Sequence, residues 1–123
     1  MLKIRILALG KDKDRWVNEA VSHYLKLLGK YAAVELAAVP SPRLSPSLSQ
    51  VEIRSKEAQV IQKAAGRGFR IALSDRGRRF DSVTFARFLD KLHARSGGTV
   101  EFWIGGPHGL ADELLEEADL VLS

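Results

Sequence analysis

Val100-Glu101-Phe102-Trp103-Ile104-Gly105-Gly106-Pro107-His108-Gly109 decides how this chain is read. Val100 to Ile104 is an apolar, strand-like run that stops at two glycines, and after a third glycine Leu110 to Glu117 has the spacing of a short helix. Glycines at these places permit positive φ and close approach of the backbone to a ligand. Pro107 stiffens the turn, and the following helix presents free N–H groups. The pattern lacks both the GxGxxG of a dinucleotide fingerprint and the GK[ST] of a P-loop. A plain strand-to-helix turn is the simpler reading, but two adjacent glycines and a third three positions on exceed what such a turn needs.

Outward from this stretch the same alternation repeats. Leu2 to Leu9 reads as a strand broken by Gly10; Asp12 or Asp14 caps a helix with Trp16, Val17, Ala20, Tyr24, Leu27 and Leu28 at helical spacing, stopped at Gly29. Val34 to Val39 is a second strand, Ser49 to Ala65 a polar-faced helix ended by Gly66, and Phe69 to Leu73 a third strand followed by a turn, SDRGRRFD. Asp81 or Ser82 caps a helix carrying Phe85, Phe88, Leu89 and Leu92, ended by Gly97-Gly98, and Leu120 to Leu122 begins a fifth strand. Between them, PSPRLSPSLSQ from Pro40 holds three of the four prolines and four serines, which suits a mobile loop, a candidate lid or RNA contact. The order β-α-β-α-β-α-β-α-β predicts one α/β domain over residues 1–123, a parallel-type sheet with helices on both faces. Ligands of such sheets bind beyond the carboxyl ends of the strands.

Composition narrows the chemistry. With 46% hydrophobic and 28% charged residues the chain is globular in balance, and its lack of an apolar run of about 18 residues predicts a soluble, cytoplasmic protein with no membrane partner. Zero cysteines exclude a disulfide framework, a thiolate metal site and a Cys nucleophile; His23, His93 and His108 are scattered, so no metal is expected. The net charge of +4 hides an asymmetry, since residues 110–123 hold five acids and no base. Arg67, Arg70, Arg76, Arg78 and Arg79 flank the third strand against the single acid Asp75. Guanidinium clusters suit phosphate oxygens, which makes these five the candidate RNA-binding residues; a solvated basic surface is the bland alternative.

MLKIRILALGK at residues 1–11, Lys26, Gly29 and Tyr31 closing the first helix, Leu73 followed by Gly77, and above all FWIGGPHGL at 102–110 resemble the ribosomal RNA large subunit methyltransferase H family. The resemblance runs co-linearly over essentially all of the chain, with IGGPxGL its most specific part. It implies a small SPOUT-class (α/β knot) homodimer that transfers a methyl group from S-adenosylmethionine to N3 of a pseudouridine in large-subunit (23S) ribosomal RNA. By resemblance, Leu73 and Gly105 match cofactor-contacting positions, with Gly106, Pro107 and Gly109 shaping the same loop. No catalytic residue is assigned by it. His108 stands where the family loop commonly has an acid, and Ser74 where the family has an acid after the strand.

The residues agree with that resemblance in their chemistry. Methylating C5 of a pyrimidine by the usual route needs a Cys to add to the ring, so a cysteine-free chain points to nitrogen or oxygen as acceptor. A methyl donor already activated as a sulfonium asks the protein mainly to align the reactants and help remove a proton. His108 is either a ligand-facing base or a solvent-facing turn residue, and Asp75 either orients a ribose or closes the turn at Gly77. Trp16 and Tyr24 are expected in helix packing and Trp103 in the core rather than on bases. Family members continue beyond LVLS, so the knot-forming C-terminal segment is expected to be absent from these 123 residues. On that expectation the alternatives are a catalytically inactive homologue serving as an RNA- or ribosome-binding module and, more distantly, a nucleotide-binding domain that uses GGPHG for phosphate.

Overall fold

The computed structural model describes residues 1–10 and 13–123. Strands and helices alternate as β1 (Leu2–Leu9), α1 (Arg15–Leu28), β2 (Ala32–Val39), α2 (Gln50–Ala64), β3 (Phe69–Arg78), α3 (Ser82–Ser96), β4 (Thr99–Ile104), α4 (Asp112–Glu117) and β5 (Leu120–Leu122). All strand pairs are parallel, in the order β2-β1-β4-β3-β5, with Leu7 opposite Trp103 and Ala72 opposite Trp103. The α/β sheet with helices on both faces is therefore as the alternation requires.

Local chemistry sets the helix ends. Ser49 and Glu52 form a reciprocal capping box, the Ser49 Oγ accepting from the Glu52 N–H at 3.2 Å and the Glu52 carboxylate from the Ser49 N–H at 3.3 Å. Asp81 accepts from the Thr84 N–H at 2.7 Å to start α3, and Gly97, at φ 65°, ends it by donating to the His93 carbonyl at 2.8 Å. Asp14 occupies the N-cap position of α1. The other candidate, Asp12, lies outside the described residues.

Because neighbouring residues of a strand face opposite sides, Trp103 and Phe102 divide the packing between two layers. On the Trp103 side, α2 and α4 close a core of Leu7, Val39, Ala58, Ile61, Ala72, Leu110 and Leu114. On the Phe102 side, α3 lays Phe85 and Phe88 against Phe102 and Phe69, with Phe80 beside them. Trp103 is wholly buried, as expected, and its indole N–H donates to Glu101 at 2.8 Å. Glu101, only 1% exposed, also accepts from Arg5 Nη1 at 3.0 Å and from the Gly66 N–H at 3.0 Å. That network ties β1, β4 and the end of α2 together, and it leaves a buried carboxylate with donors on both oxygens.

Four expectations change. Trp16 and Tyr24 do not pack into the molecule: they are 72% and 63% exposed, and α1, which packs chiefly against the edge strand β2, has no buried residue. The third strand does not end at Leu73. It bulges and resumes, so that both Leu73 and Arg78 stand opposite Leu122, and the Ser123 N–H donates to the Arg78 carbonyl at 3.0 Å. The second strand starts at Ala32, since Ala32 and Ala33 pair with Leu2 and Lys3. Helix α4 starts at Asp112 rather than Leu110: Ala111 is extended at the N-cap, and Leu110 and Ala111 are buried in the core.

Candidate functional site

Parallel strands place all their carboxyl ends on one edge, and here that edge gathers Gly10, the Pro40–Leu48 loop, the bulge after Leu73 and the Gly105–Gly109 loop. Between β3 and β4 the chain divides: α3 leaves on the Phe102 face and α4 on the Trp103 face. The two loops diverge and leave a cleft of about 410 Å³ lined by Leu73–Asp75 and Ile104–Leu110. Leu73, Gly105, Gly106, Pro107 and Gly109 are thus brought together. A neighbouring hollow of about 420 Å³ lies on the other flank of Leu73–Asp75, against Leu122 and Ser123.

The glycine loop is built for contact with backbone. The Gly109 N–H donates to the Gly106 carbonyl at 3.0 Å, closing a tight turn with Pro107 second and with Gly109 at φ 80°. A Cβ on Gly105 would stand 2.9 Å from the Gly109 carbonyl carbon, and one on Gly106 would stand 2.8 Å from the Glu57 carboxylate. Backbone therefore excludes a side chain at Gly105, whereas one at Gly106 would require the Glu57 carboxylate to shift. The opposite lip is shaped by the bulge, where the Ser74 hydroxyl accepts from the Arg76 N–H at 3.2 Å. Ser74 makes that turn contact, whereas Asp75 is exposed on the lip of the cleft. Gly77 lies so close to the Val121–Leu122 backbone that a Cβ would stand 2.6 Å from the Leu122 carbonyl carbon. Arg76 reaches from the bulge to Asp112 at the start of α4, a 3.0 Å exposed ion pair across the two lips.

Sequence inspection did not single out Glu57. It lies on α2 beneath the loop, 6% exposed, and its Oε1 is enclosed without a hydrogen-bond partner among the described residues. Burial raises its carboxyl above the ordinary range, and the nearby charge of His108 opposes the rise. The signal was present: Glu57 falls midway between Ile53 and Ile61 at four-residue spacing, on the inward face of the helix. His108 itself is exposed at the tip of the loop.

The five arginines do not form one patch. Arg76, Arg78 and Arg79 are exposed at the cleft end of β3, with the Arg78 guanidinium 4.5 Å from the centre of the Phe80 ring. Arg67 lies before the start of β3, at the opposite end of the strand from the cleft, in a separate hollow with Arg5, Gly66 and Glu101. Arg70 is engaged in the fold, donating to the Gly66 carbonyl at 2.8 Å and resting over the Trp103 ring. Among the described residues no three His, Asp or Glu side chains come together in a metal-binding group, and no helix is long and apolar enough to cross a membrane.

Residues 2–123 match the family profile described as "Predicted SPOUT methyltransferase". The chain belongs to the SPOUT methyltransferase family. Proteins named ribosomal RNA large subunit methyltransferase H are similar to this SPOUT chain over nearly its whole length. That of Desulforamulus reducens is 35% identical over 127 residues, covering 100% of the chain and 79% of the relative. Those of Lactiplantibacillus plantarum and Carboxydothermus hydrogenoformans are each 32% identical over 126 residues, covering 99% of the chain and 79% of the relative. The resemblance read from FWIGGPHGL thus holds across the SPOUT chain, and its loop is the one that lines the cleft.

Proposed function

We propose that the chain binds S-adenosylmethionine in the cleft between Leu73–Asp75 and Gly105–Leu110 and takes part in methylating N3 of a pseudouridine in large-subunit ribosomal RNA. The observation that carries this reading is the convergence of Leu73, Gly105, Gly106, Pro107 and Gly109 on one cleft at the carboxyl edge of a SPOUT-family sheet. The residues suit the cofactor. A cleft of about 410 Å³ is within the ~300–1,000 Å³ of small-molecule sites. Gly105 brings backbone where a side chain cannot stand, Gly106 brings it up against the Glu57 carboxylate, and Leu73 and Leu110 supply apolar walls.

When bound, S-adenosylmethionine supplies a methyl group already activated on a sulfonium. The work left to the chain is to hold donor and acceptor in line and to exclude competing water. The tight Gly106–Gly109 turn and the Ser74 bulge fix the two walls. We assign Asp75 and His108, exposed on the rim, as the candidates to meet the proton leaving a ring nitrogen. Arg76, Arg78 and Arg79 supply the phosphate-binding surface beside the cleft. Arg67 is assigned to RNA on the far edge, where it would contact a separate part of a folded RNA, and Arg70 reaches RNA only by giving up its bond to Gly66. The partner implied for the protein is a second copy of the chain, for which the exposed Trp16, Tyr24 and Leu27 of α1 offer apolar surface. The setting is the cytoplasm.

Incubation with labelled S-adenosylmethionine and ribosomes lacking the modification, followed by nucleoside digestion, tests the reading. Label in 3-methylpseudouridine is the expected result. Salt-sensitive RNA binding that ignores the cofactor, with no label incorporated, would replace it with a non-catalytic RNA-binding role.

A further inference from the structure

Among the described residues two carboxylates are buried, and they are treated differently. Glu101 is surrounded by Arg5, Gly66 and Trp103 donors, so its charge is balanced within the fold. Glu57 is nearly as buried, yet its Oε1 has no hydrogen-bond partner among the described residues. An enclosed carboxylate without a partner is costly, and folds keep one where something else supplies the missing interaction.

What lies on the far side is the cleft. Gly106 separates them, and its missing Cβ is what lets the carboxylate come so close, since any side chain there would stand 2.8 Å from Glu57 Oε2. Gly106 also lines the cleft wall, so the charge lies just behind the surface a ligand would touch. Leu73, Ile104 and Leu110 give the cleft an apolar part beside the polar Ser74, Asp75 and His108, and His108 is the charge that already acts on Glu57. Asp75 is the other acid on the cleft, but it is exposed and screened by solvent.

We propose that Glu57 is a positioning residue whose carboxylate, from behind Gly106, supplies the countercharge for a cationic ligand group in the cleft, the sulfonium of S-adenosylmethionine. This rests on the cofactor reading above and adds to it the expectation that the cleft binds the charged methyl donor in preference to its neutral product. Burial raises the carboxyl of Glu57 and the charge of His108 opposes the rise; a cation in the cleft would act in the same direction as His108.

S-adenosylmethionine and S-adenosylhomocysteine differ by one methyl group and one positive charge, so the ratio of their dissociation constants isolates the effect. Calorimetric titration of both ligands into wild type, E57Q, E57M and D75N at about pH 8 is the test. E57M covers the case in which the amide is not tolerated, because replacing a buried charge with an apolar side chain of similar size is often neutral or stabilising. The neutral variants should lose about tenfold of the preference for the sulfonium, about 1.4 kcal/mol, while homocysteine-form binding stays within about threefold and D75N keeps most of the preference. Equal weakening of both ligands would mean that Glu57 only shapes the loop, and would overturn the inference while leaving the cofactor reading intact. Failure of wild type to bind either ligand would remove the cofactor reading, and the inference with it.

Discussion

Replacing Gly105 by alanine tests the glycine loop at its tightest point. The new Cβ would stand 2.9 Å from both the carbonyl carbon and oxygen of Gly109 and 2.9 Å from Leu110 Cδ2. Two of those three atoms are backbone, so a side-chain rotation cannot relieve the clash. The Gly109 end of the loop must retreat by about 0.5 Å to restore ordinary van der Waals contact, and the Gly106–Gly109 hydrogen bond sits in its path. Overpacking of this kind costs about 1–3 kcal/mol. For a chain of this size each kcal/mol lowers the melting temperature by about 4 °C, so thermal denaturation followed by circular dichroism should show a fall of about 4–12 °C. Gly98→Ala is the matched control, because nothing lies within 4 Å of its added Cβ; it should leave the melting temperature unchanged or raise it slightly. Calorimetry with S-adenosylmethionine should show at least tenfold weaker binding for Gly105→Ala and none of that loss for Gly98→Ala. An unchanged melting temperature and affinity in Gly105→Ala would refute the claim that backbone contact across this loop shapes the cleft.

Other outcomes follow from the packing and the charges. Trp103→Ala should lose about 3–5 kcal/mol in denaturant unfolding, since the ring is wholly buried and its removal also leaves Glu101 short of a donor. Burial gives Glu57 a raised carboxyl, with His108 the opposing charge, so the folded chain holds that proton more tightly than the unfolded one. Its stabilising effect is therefore full below the ordinary carboxylate value and is lost as pH rises through the raised value; E57Q should abolish that decline when unfolding is measured from about pH 3 to 8. Asp81 behaves oppositely. The Thr84 N–H holds its carboxyl below the usual range, so its contribution is present above the ordinary value and lost as pH falls through the lowered one, a limb D81N should flatten. Neutralising Arg76, Arg78 and Arg79 together should reduce the slope of log affinity against log salt for RNA by about 0.7 for each phosphate that the protein no longer neutralises, whereas Arg70→Gln should mainly lower thermal stability through its bond to Gly66.

How much of this was legible in the sequence depends on the range of the interactions involved. The glycine loop and helix stops could be read because their causes are local: Asp81 and Gly97 act on residues within a few positions, and Gly109 needs its own φ of 80°. The arginine run misled because extended chain separates residues quickly, and Phe69 to Leu73 carries Arg67 and Arg79 to different ends of the sheet. Trp16 and Tyr24 have helical spacing, but spacing shows only that α1 has an apolar face, not what covers it. The bulge after Leu73 depends on pairing with Leu122, some 50 residues on, which no local pattern reports. Glu57 was missed because a glutamate in a polar-faced helix reads as solvated until the glycine loop is seen resting on it.

Amide hydrogen exchange with and without S-adenosylmethionine locates the ligand on the chain itself. Binding in the cleft predicts slowed exchange at Leu73–Asp75 and across Gly105–Leu110, leaving out Pro107, with the far hollow around Gly66 and Thr99 unchanged. Saturating cofactor that protects neither segment, or protects only the far edge, would contradict the assignment of this cleft.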